Sequence, residues 1–159
     1  MMDDLREKSL PNAAAGKKPE TLSKFKDLAE KTGNRQAKAF GRILIVDDTP
    51  EIAQFTSLVL RDAGHSILNI AENGKEGLDY YKSHWQEVDI VILDMMMPEM
   101  NGPECLKGMN AINPNVRIII SSAYSPEEDK VCEMGIKGFI QKPFSPDKLV
   151  DMVKSVLEE

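Results

Sequence analysis

The chain has 159 residues, 42% of them hydrophobic, and a formal net charge of −6 at pH 7. This length is typical of about one domain, and the apolar content excludes a wholly disordered chain. No apolar run approaches the roughly 18 residues that a membrane helix needs, and the polar start contains no secretory signal, so we expect a soluble cytoplasmic protein.

The beginning of the chain differs in charge from the rest. Residues 1–42 contain ten Lys and Arg against six Asp and Glu, a balance of +4, whereas residues 43–159 contain ten against twenty, a balance of −10. We therefore predict a basic polar extension over 1–41 and an acidic domain over 42–159, which argues against direct binding of nucleic acid. Apolar spacing predicts a short helix over 20–31, either transient in a mobile arm or docked on the domain or on a partner.

After the extension, short apolar runs alternate with amphipathic segments. The runs are continuous and rich in Ile and Val, which is typical of strands covered on both faces. Pro50 and Pro126 suit the first turns of helices, and Gly64 and Gly135 suit helix ends. Five β-α units predict an α/β fold with a doubly wound five-stranded parallel sheet and five helices. The strand runs lie at 43–46, 67–70, 90–93, 116–120 and 139–140, and the helical segments near 50–63, 74–85, 102–112, 126–134 and 146–158.

The cysteines and histidines give no metal or disulfide pattern. Cys105 and Cys132 form no CxxC pair, and we expect both to be reduced, small apolar residues on helices. His65 and His84 have no second ligand type at metal spacing, so we expect packed or solvated side chains.

Polar side chains follow four of the five predicted strands. The carboxyl ends of parallel strands meet at one edge of a sheet, so we expect these side chains to converge there. Carboxylates held together repel one another, and a divalent cation removes the conflict; an all-oxygen set favours Mg²⁺. With a lysine and a hydroxyl beside it, this edge suits a phosphoryl group, with Asp94 as the attacking carboxylate. The residues are Asp47, Asp48, Asp94, Ser121, Ser122, Lys142 and Pro143.

In these stretches the chain resembles the receiver domain of bacterial two-component response regulators, of the stand-alone chemotaxis type. The resemblance runs from Arg42 to Glu159 and rests on four motifs in order: IVDD at 45–48, LDMMMPEMNG at 93–102, SSA at 121–123 and KPF at 142–144. It implies a flavodoxin-like sheet of strand order 2-1-3-4-5. It also implies a phosphoprotein of a phosphorelay whose partner is a sensor histidine kinase or a phosphotransfer protein.

The resemblance also implies a role for each matching residue. Asp94 is the phosphoacceptor, and Lys142, whose bond to Pro143 is typically cis, pairs with the phosphoryl oxygens. Asp48 and Asp94 bind Mg²⁺ directly with the backbone carbonyl of Met96, and Asp47 binds it through water. The switch residues are Ser122, preferred over Ser121 because Ala123 follows it, and Phe139. The surface that phosphorylation changes, and that a protein target binds, is formed by roughly residues 125–159.

Two exposed positions beside the phosphoacceptor invite a hypothesis. Met96 and Tyr124 align with positions that flank the phosphoryl group, and their bulk is expected to hinder attack by water and lengthen the phosphorylated lifetime.

Three other functions compete with a phosphorylated receiver. An aspartate-nucleophile phosphatase needs an acid two residues after the nucleophile, where this chain has Met96. A degenerate receiver would act as an unphosphorylated binding module, although all expected groups are present. A flavin-binding electron carrier would need hydrogen-bond donors for the phosphate of its cofactor, and this chain has acids there. We expect a stand-alone regulator that is not a turnover enzyme; the alternative is a fragment of a longer chain.

Overall fold

The structure, a computed structural model, describes residues 40–124 and 133–159. The described residues all belong to one unit, Lys38–Glu159. The helix predicted over 20–31 and most of the one predicted over 126–134 lie outside them. In chain order, the described elements are β1 Arg42–Val46, α1 Pro50–Asp62, β2 Ser66–Ala71, α2 Gly74–His84, β3 Ile90–Asp94, α3 Gly102–Ile112, β4 Ile118–Ser122, β5 Gly138–Gln141 and α4 Pro146–Glu158.

The five strands form one sheet in the order β2-β1-β3-β4-β5. Every pair of neighbouring strands is parallel. The predicted fold and strand order are therefore confirmed, with four of the five helices inside the described residues. Because the order reverses beside β1, the carboxyl ends of β1 and β3 form the crevice where doubly wound sheets place their sites.

Alternate side chains of each strand pack on opposite faces of the sheet. One face packs on α2 and α3, through residues such as Leu44, Leu93 and Met109. The other packs on α1 and α4, through residues such as Ile45 and Leu149. Since β1, β3 and β4 are covered on both faces, each needs apolar side chains at consecutive positions, which is the pattern that the sequence shows.

Local chemistry fixes the helix ends close to the predicted positions. Pro50 begins α1, and Gly64 follows this helix with a φ of 100°, a left-handed conformation that favours glycine. The side chains of Asn73, Asn101 and Ser145 cap α2, α3 and α4, each by accepting a hydrogen bond from a backbone N–H of the first turn.

The fourth strand begins later than the sequence predicts. The apolar run starts at Val116, but the N–H of Val116 donates to the carbonyl of Asn113 in a turn, 3.0 Å away. The strand therefore starts at Ile118 and extends through Ser121 and Ser122. In the described part of the chain, no helix is both long and apolar enough to span a bilayer.

Candidate functional site

Three carboxylates meet at the carboxyl edge of the sheet. Asp47 follows β1 directly, and its N–H continues the ladder to β2 by donating to the carbonyl of Ala71. Asp94 is the last residue of β3, the neighbour of β1. Oxygen atoms of Asp47, Asp48 and Asp94 lie within 4.8 Å of one another. Asp47 and Asp94 are buried, whereas Asp48 is exposed, so the group opens to solvent through Asp48.

Lys142 joins this group from the far edge of the sheet. It follows β5, and its Nζ lies 2.8 Å from Oδ2 of Asp47 and 3.5 Å from Oδ2 of Asp94. The Lys142 side chain is only 13% exposed, so water screens both contacts weakly. In this structure Asp47 therefore holds the ammonium group, and Asp94 is its more distant partner.

Burial is the largest influence on the pKa of Asp94. Removal from water is the largest cause, and it raises the pKa of this carboxyl from 3.8 to about 6. The N–H of Met96, which donates to Oδ1 of Asp94 at 3.2 Å, and the charge of Lys142 lower the pKa. The charge of Asp47 and a hydrogen bond with Asp48 raise it. Three carboxylates with one ammonium leave surplus negative charge, which a bound cation would neutralise.

The two serines of β4 have different surroundings. Oγ of Ser122 accepts a hydrogen bond from the N–H of Tyr124 at 3.3 Å, and the carbonyl of Ser122 accepts one from the N–H of Lys142 at 2.8 Å. Ser121 is also buried, but its Oγ has no hydrogen-bond partner among the described residues. Phe139 is half-buried and packs against the core on the α2 and α3 side of the sheet. The bond between Lys142 and Pro143 is cis, as the resemblance implies.

Two glycines, whose roles the sequence did not reveal, hold the loop that follows Asp94. A Cβ on Gly102 would lie 2.6 Å from Cα of Met95 and 2.7 Å from the carbonyl oxygen of Asp94. A Cβ on Gly74 would collide with the carbonyl oxygen of Met100. Both contacts are with backbone, so the loop 95–101 packs closely on the first turns of α2 and α3 only because these positions lack side chains. The signal in the sequence that could have indicated these roles is the position of each glycine at the start of a predicted helix.

Two large side chains near the carboxylates are exposed. Met96 is 66% exposed and Tyr124 is 72% exposed. Each lies two residues after a site residue, Asp94 and Ser122 respectively, and each donates its N–H to that side chain. Met96 and Tyr124, which the sequence predicts to flank the site, therefore lie beside its rim.

The remaining candidate residues lie apart from this group. Cys105 is buried, its thiol donates to the carbonyl of Gly74, and burial raises its pKa to about 12, so it stays a thiol. Cys132 lies outside the described residues. Nδ1 of buried His65 accepts the N–H of Gly41, and burial lowers the pKa of this imidazole. The ring of His84 stacks on that of Tyr80.

Comparison with protein families places most of the chain in a single match. The sequence model of the family described as "Response regulator receiver domain" matches residues 43–154. The matched range includes Asp47, Asp94, Ser122 and Lys142.

Individual relatives and solved structures agree with that match. The chain is 36% identical over 117 residues to chemotaxis protein CheY of Thermotoga maritima, covering 72% of this chain and 96% of the relative. It is 38% identical over 120 residues to sporulation initiation phosphotransferase F of Bacillus subtilis, covering 73% and 93%. The crystal structure of the CheX-CheY-BeF3-Mg²⁺ complex from Borrelia burgdorferi contains a similar chain, with a TM-score of 0.71, 34% identity, and coverage of 73% of this chain and 88% of that one.

Proposed function

Because this chain belongs to the family of response regulator receiver domains, we propose that Asp94 is its phosphoacceptor, and that phosphorylation of Asp94 switches a surface that binds another protein. Receiver domains are signalling modules, and the chain is homologous to CheY and to sporulation initiation phosphotransferase F over most of its length. The observation that carries the residue assignment is the convergence of Asp47, Asp48, Asp94 and the ammonium of Lys142 at one edge of the sheet. The receiver domain would span 42–159, behind the extension 1–41.

The proposed reaction moves a phosphoryl group between two proteins. A carboxylate oxygen of Asp94 attacks the phosphorus of a phosphohistidine on a sensor histidine kinase or a phosphotransfer protein. The new O–P bond forms as the N–P bond breaks, and the imidazole leaves with the electron pair of that bond. The product on this chain is an acyl phosphate. Lys142, now 3.5 Å from Asp94, would turn from Asp47 to the added phosphoryl oxygens.

The donor set of the site fits Mg²⁺. Asp48 and Asp94, with the backbone carbonyl of Met96, would bind the ion, and Asp47 would bind it through water. Bound Mg²⁺ would neutralise charge that builds on the phosphoryl oxygens. The surplus of carboxylates over ammonium groups supports this assignment, and so does the Mg²⁺ in the name of the similar complex from Borrelia burgdorferi.

The switch would begin at Ser122. Its hydroxyl, which accepts the N–H of Tyr124 in this structure, would instead donate to a phosphoryl oxygen. Movement of β4 would then repack Phe139, and the change would reach the surface formed by roughly 125–159, of which 125–132 lie outside the described residues. A protein target would bind that surface. The similar CheY from Borrelia burgdorferi is in a complex with CheX, a likeness that does not name the target of this chain. The cytoplasmic location of this chain stays a prediction.

Turnover is not part of the proposed function. An aspartate-nucleophile phosphatase has an acid two residues after the nucleophile, and Met96 has no proton to donate there. Loss of the phosphoryl group would be the slow hydrolysis of the chain's own acyl phosphate.

Incubation with Mg²⁺ and acetyl phosphate tests the proposal. We expect one phosphoryl group per chain by intact mass, stable for minutes and lost in Asp94→Asn. The matched control is Asp62→Asn, which removes an exposed carboxylate at the last residue of α1, and it should accept phosphate like the wild type.

Two results would contradict the proposal. One is full phosphorylation of Asp94→Asn, which would place the phosphoryl group elsewhere. The other is release of many phosphates per chain without a stable adduct, which would indicate a phosphatase.

A further inference from the structure

The strand that carries the proposed switch residue also contains a buried hydroxyl with no hydrogen-bond partner in the described part of the chain. Ser121 is 2% exposed, and its Oγ has no hydrogen-bond partner within 40–124 and 133–159. An unsatisfied buried hydroxyl costs free energy, so most such groups in folded proteins have a partner. The hydrogen-bonding capacity of the Ser121 hydroxyl is therefore unused among the described residues of this structure.

The register of the sheet places Ser121 beside the phosphoacceptor. Ser121 is the direct cross-strand partner of Asp94 on β3 and of Ile140 on β5. Residues directly opposite in neighbouring strands project to the same face. Strand alternation agrees, because Ile92, Ile119 and Ile140 all pack on the α1 and α4 side, and Asp94 and Ser121 each come two residues after a member of that set.

The Lys142 side chain has to pass the end of β4 to make its contacts. Lys142 follows β5, whereas its partners Asp47 and Asp94 follow β1 and end β3. β4 lies between β5 and β3 in the sheet. Lys142 comes two residues after Ile140, so it shares the face of Ser121. The hydroxyl of Ser121 thus lies on the side of the sheet along which the ammonium group reaches the carboxylates.

We infer that Ser121 is a positioning residue for Lys142: its hydroxyl accepts a hydrogen bond from the ammonium group when Lys142 leaves Asp47 for the phosphoryl group on Asp94. An ammonium group has three donors, and one salt bridge to a phosphoryl oxygen leaves donors free for a neighbouring acceptor. Because the hydroxyl has no partner among the described residues in this structure, a hydrogen bond that forms only after phosphorylation favours the phosphorylated state. This inference rests on the proposed function of Asp94 and assigns Ser121 a task distinct from the switch at Ser122.

The substitution Ser121→Ala tests the inference because it removes only the hydroxyl. With saturating Mg²⁺ and acetyl phosphate, we expect phosphorylation of Ser121→Ala to slow, or its phosphorylated lifetime to shorten, by about three- to tenfold, as for the loss of one hydrogen bond of typical net strength. The urea midpoint of the unphosphorylated variant should stay equal to or exceed that of the wild type. Ser57→Ala, which removes another buried hydroxyl on α1, is the matched control and should leave both kinetic values unchanged.

A second pair of variants separates positioning from simple packing. In a Lys142→Ala background the additional loss caused by Ser121→Ala should vanish, since there is no ammonium group left to position. Kinetics within twofold of the wild type, a lowered urea midpoint in Ser121→Ala, or a loss that persists without Lys142 would each overturn the inference. Failure of the wild type to accept any phosphate would instead refute the proposed function.

Discussion

At the scale of single residues, the site is a set of charges that do not balance. The ammonium of Lys142 pairs with Asp47 at 2.8 Å and stays 3.5 Å from Asp94, which is buried beside two other carboxyls. Burial therefore raises the pKa of Asp94 and disfavours the charged form of this carboxyl. A cation or a phosphoryl group changes this balance, and that sensitivity is what a phosphorylation switch needs.

The elevated pKa of Asp94 predicts how stability changes with pH. The pKa of about 6 in the folded chain exceeds the ordinary 3.8, so the folded state holds this proton more tightly. The resulting stabilisation is complete below about pH 4 and is lost as pH rises through 6. Without Mg²⁺, we expect Asp94→Asn to gain stability relative to the wild type between pH 4 and pH 7.5, by about 2 kcal/mol. Urea unfolding at both pH values measures this; a difference that does not change with pH would contradict it.

The side chain of Met96 is expected to affect the lifetime of the phosphorylated state. Its side chain is 66% exposed and begins two residues after Asp94. If its bulk hinders the approach of water, Met96→Asn should hydrolyse its acyl phosphate several-fold faster, measured as the loss of phosphorylated mass after removal of the donor. Leu58→Asn, which replaces an equally exposed apolar side chain on α1, is the matched control and should not change the rate. An unchanged rate in Met96→Asn removes the idea.

At the scale of elements, the ends of strands and the first turns of helices position the site together. Strand β3 ends on Asp94, and the loop after it lies on the first turn of α3, where the N–H of Gly102 donates to the carbonyl of Met95 at 3.0 Å. The loop belongs to no helix or strand, so this contact with α3 helps to hold its shape.

Two glycines of α3 provide a matched comparison. Gly102→Ala would place a Cβ against backbone atoms of Asp94 and Met95, which cannot move without shifting the proposed phosphoacceptor. The three atoms nearest to a Cβ on Gly108 all belong to the side chain of Leu78, which can change its rotamer. We expect Gly102→Ala to lose about 2 kcal/mol of unfolding free energy and to slow phosphorylation, with a much smaller effect for Gly108→Ala. Equal effects on both measurements would show that the loop is not fixed at Gly102.

The sequence predicts the elements well where burial decides them. Continuous Ile and Val runs locate β1 and β3 because both faces of those strands are covered. The start of β4 is less predictable, since Val116 is apolar yet belongs to a turn. The pairing of Lys142 with Asp47 is not visible in the sequence, and neither is the face that Ser121 shares with Asp94, because both depend on strand register.

At the scale of the whole molecule, the fold is a scaffold that brings distant parts of the chain together. Lys142 and Asp47 are 95 positions apart in the chain and form a direct ion pair. The site therefore exists only while the sheet is intact, and any ligand of the site stabilises the entire fold by mass action.

Mg²⁺ should consequently stabilise the folded chain. At a concentration one hundred times its Kd, we expect an increase in unfolding free energy of about 2.7 kcal/mol at constant ionic strength. Asp48→Asn should lose most of this increase, because it removes an exposed carboxylate that is proposed to bind the ion, and Asp62→Asn should retain it. Thermal unfolding with and without Mg²⁺ measures the effect; equal stabilisation of both variants would contradict the assigned metal site.

The residue proposed to carry the phosphoryl group can be identified directly. Borohydride reduces an acyl phosphate of aspartate to homoserine, so peptide mapping of the phosphorylated, reduced chain reports the modified position. The account predicts homoserine at position 94 alone, and only when Mg²⁺ and the phosphodonor are both present. Homoserine at position 47 or 48, or an unmodified position 94 in a chain that has gained phosphate, would contradict it.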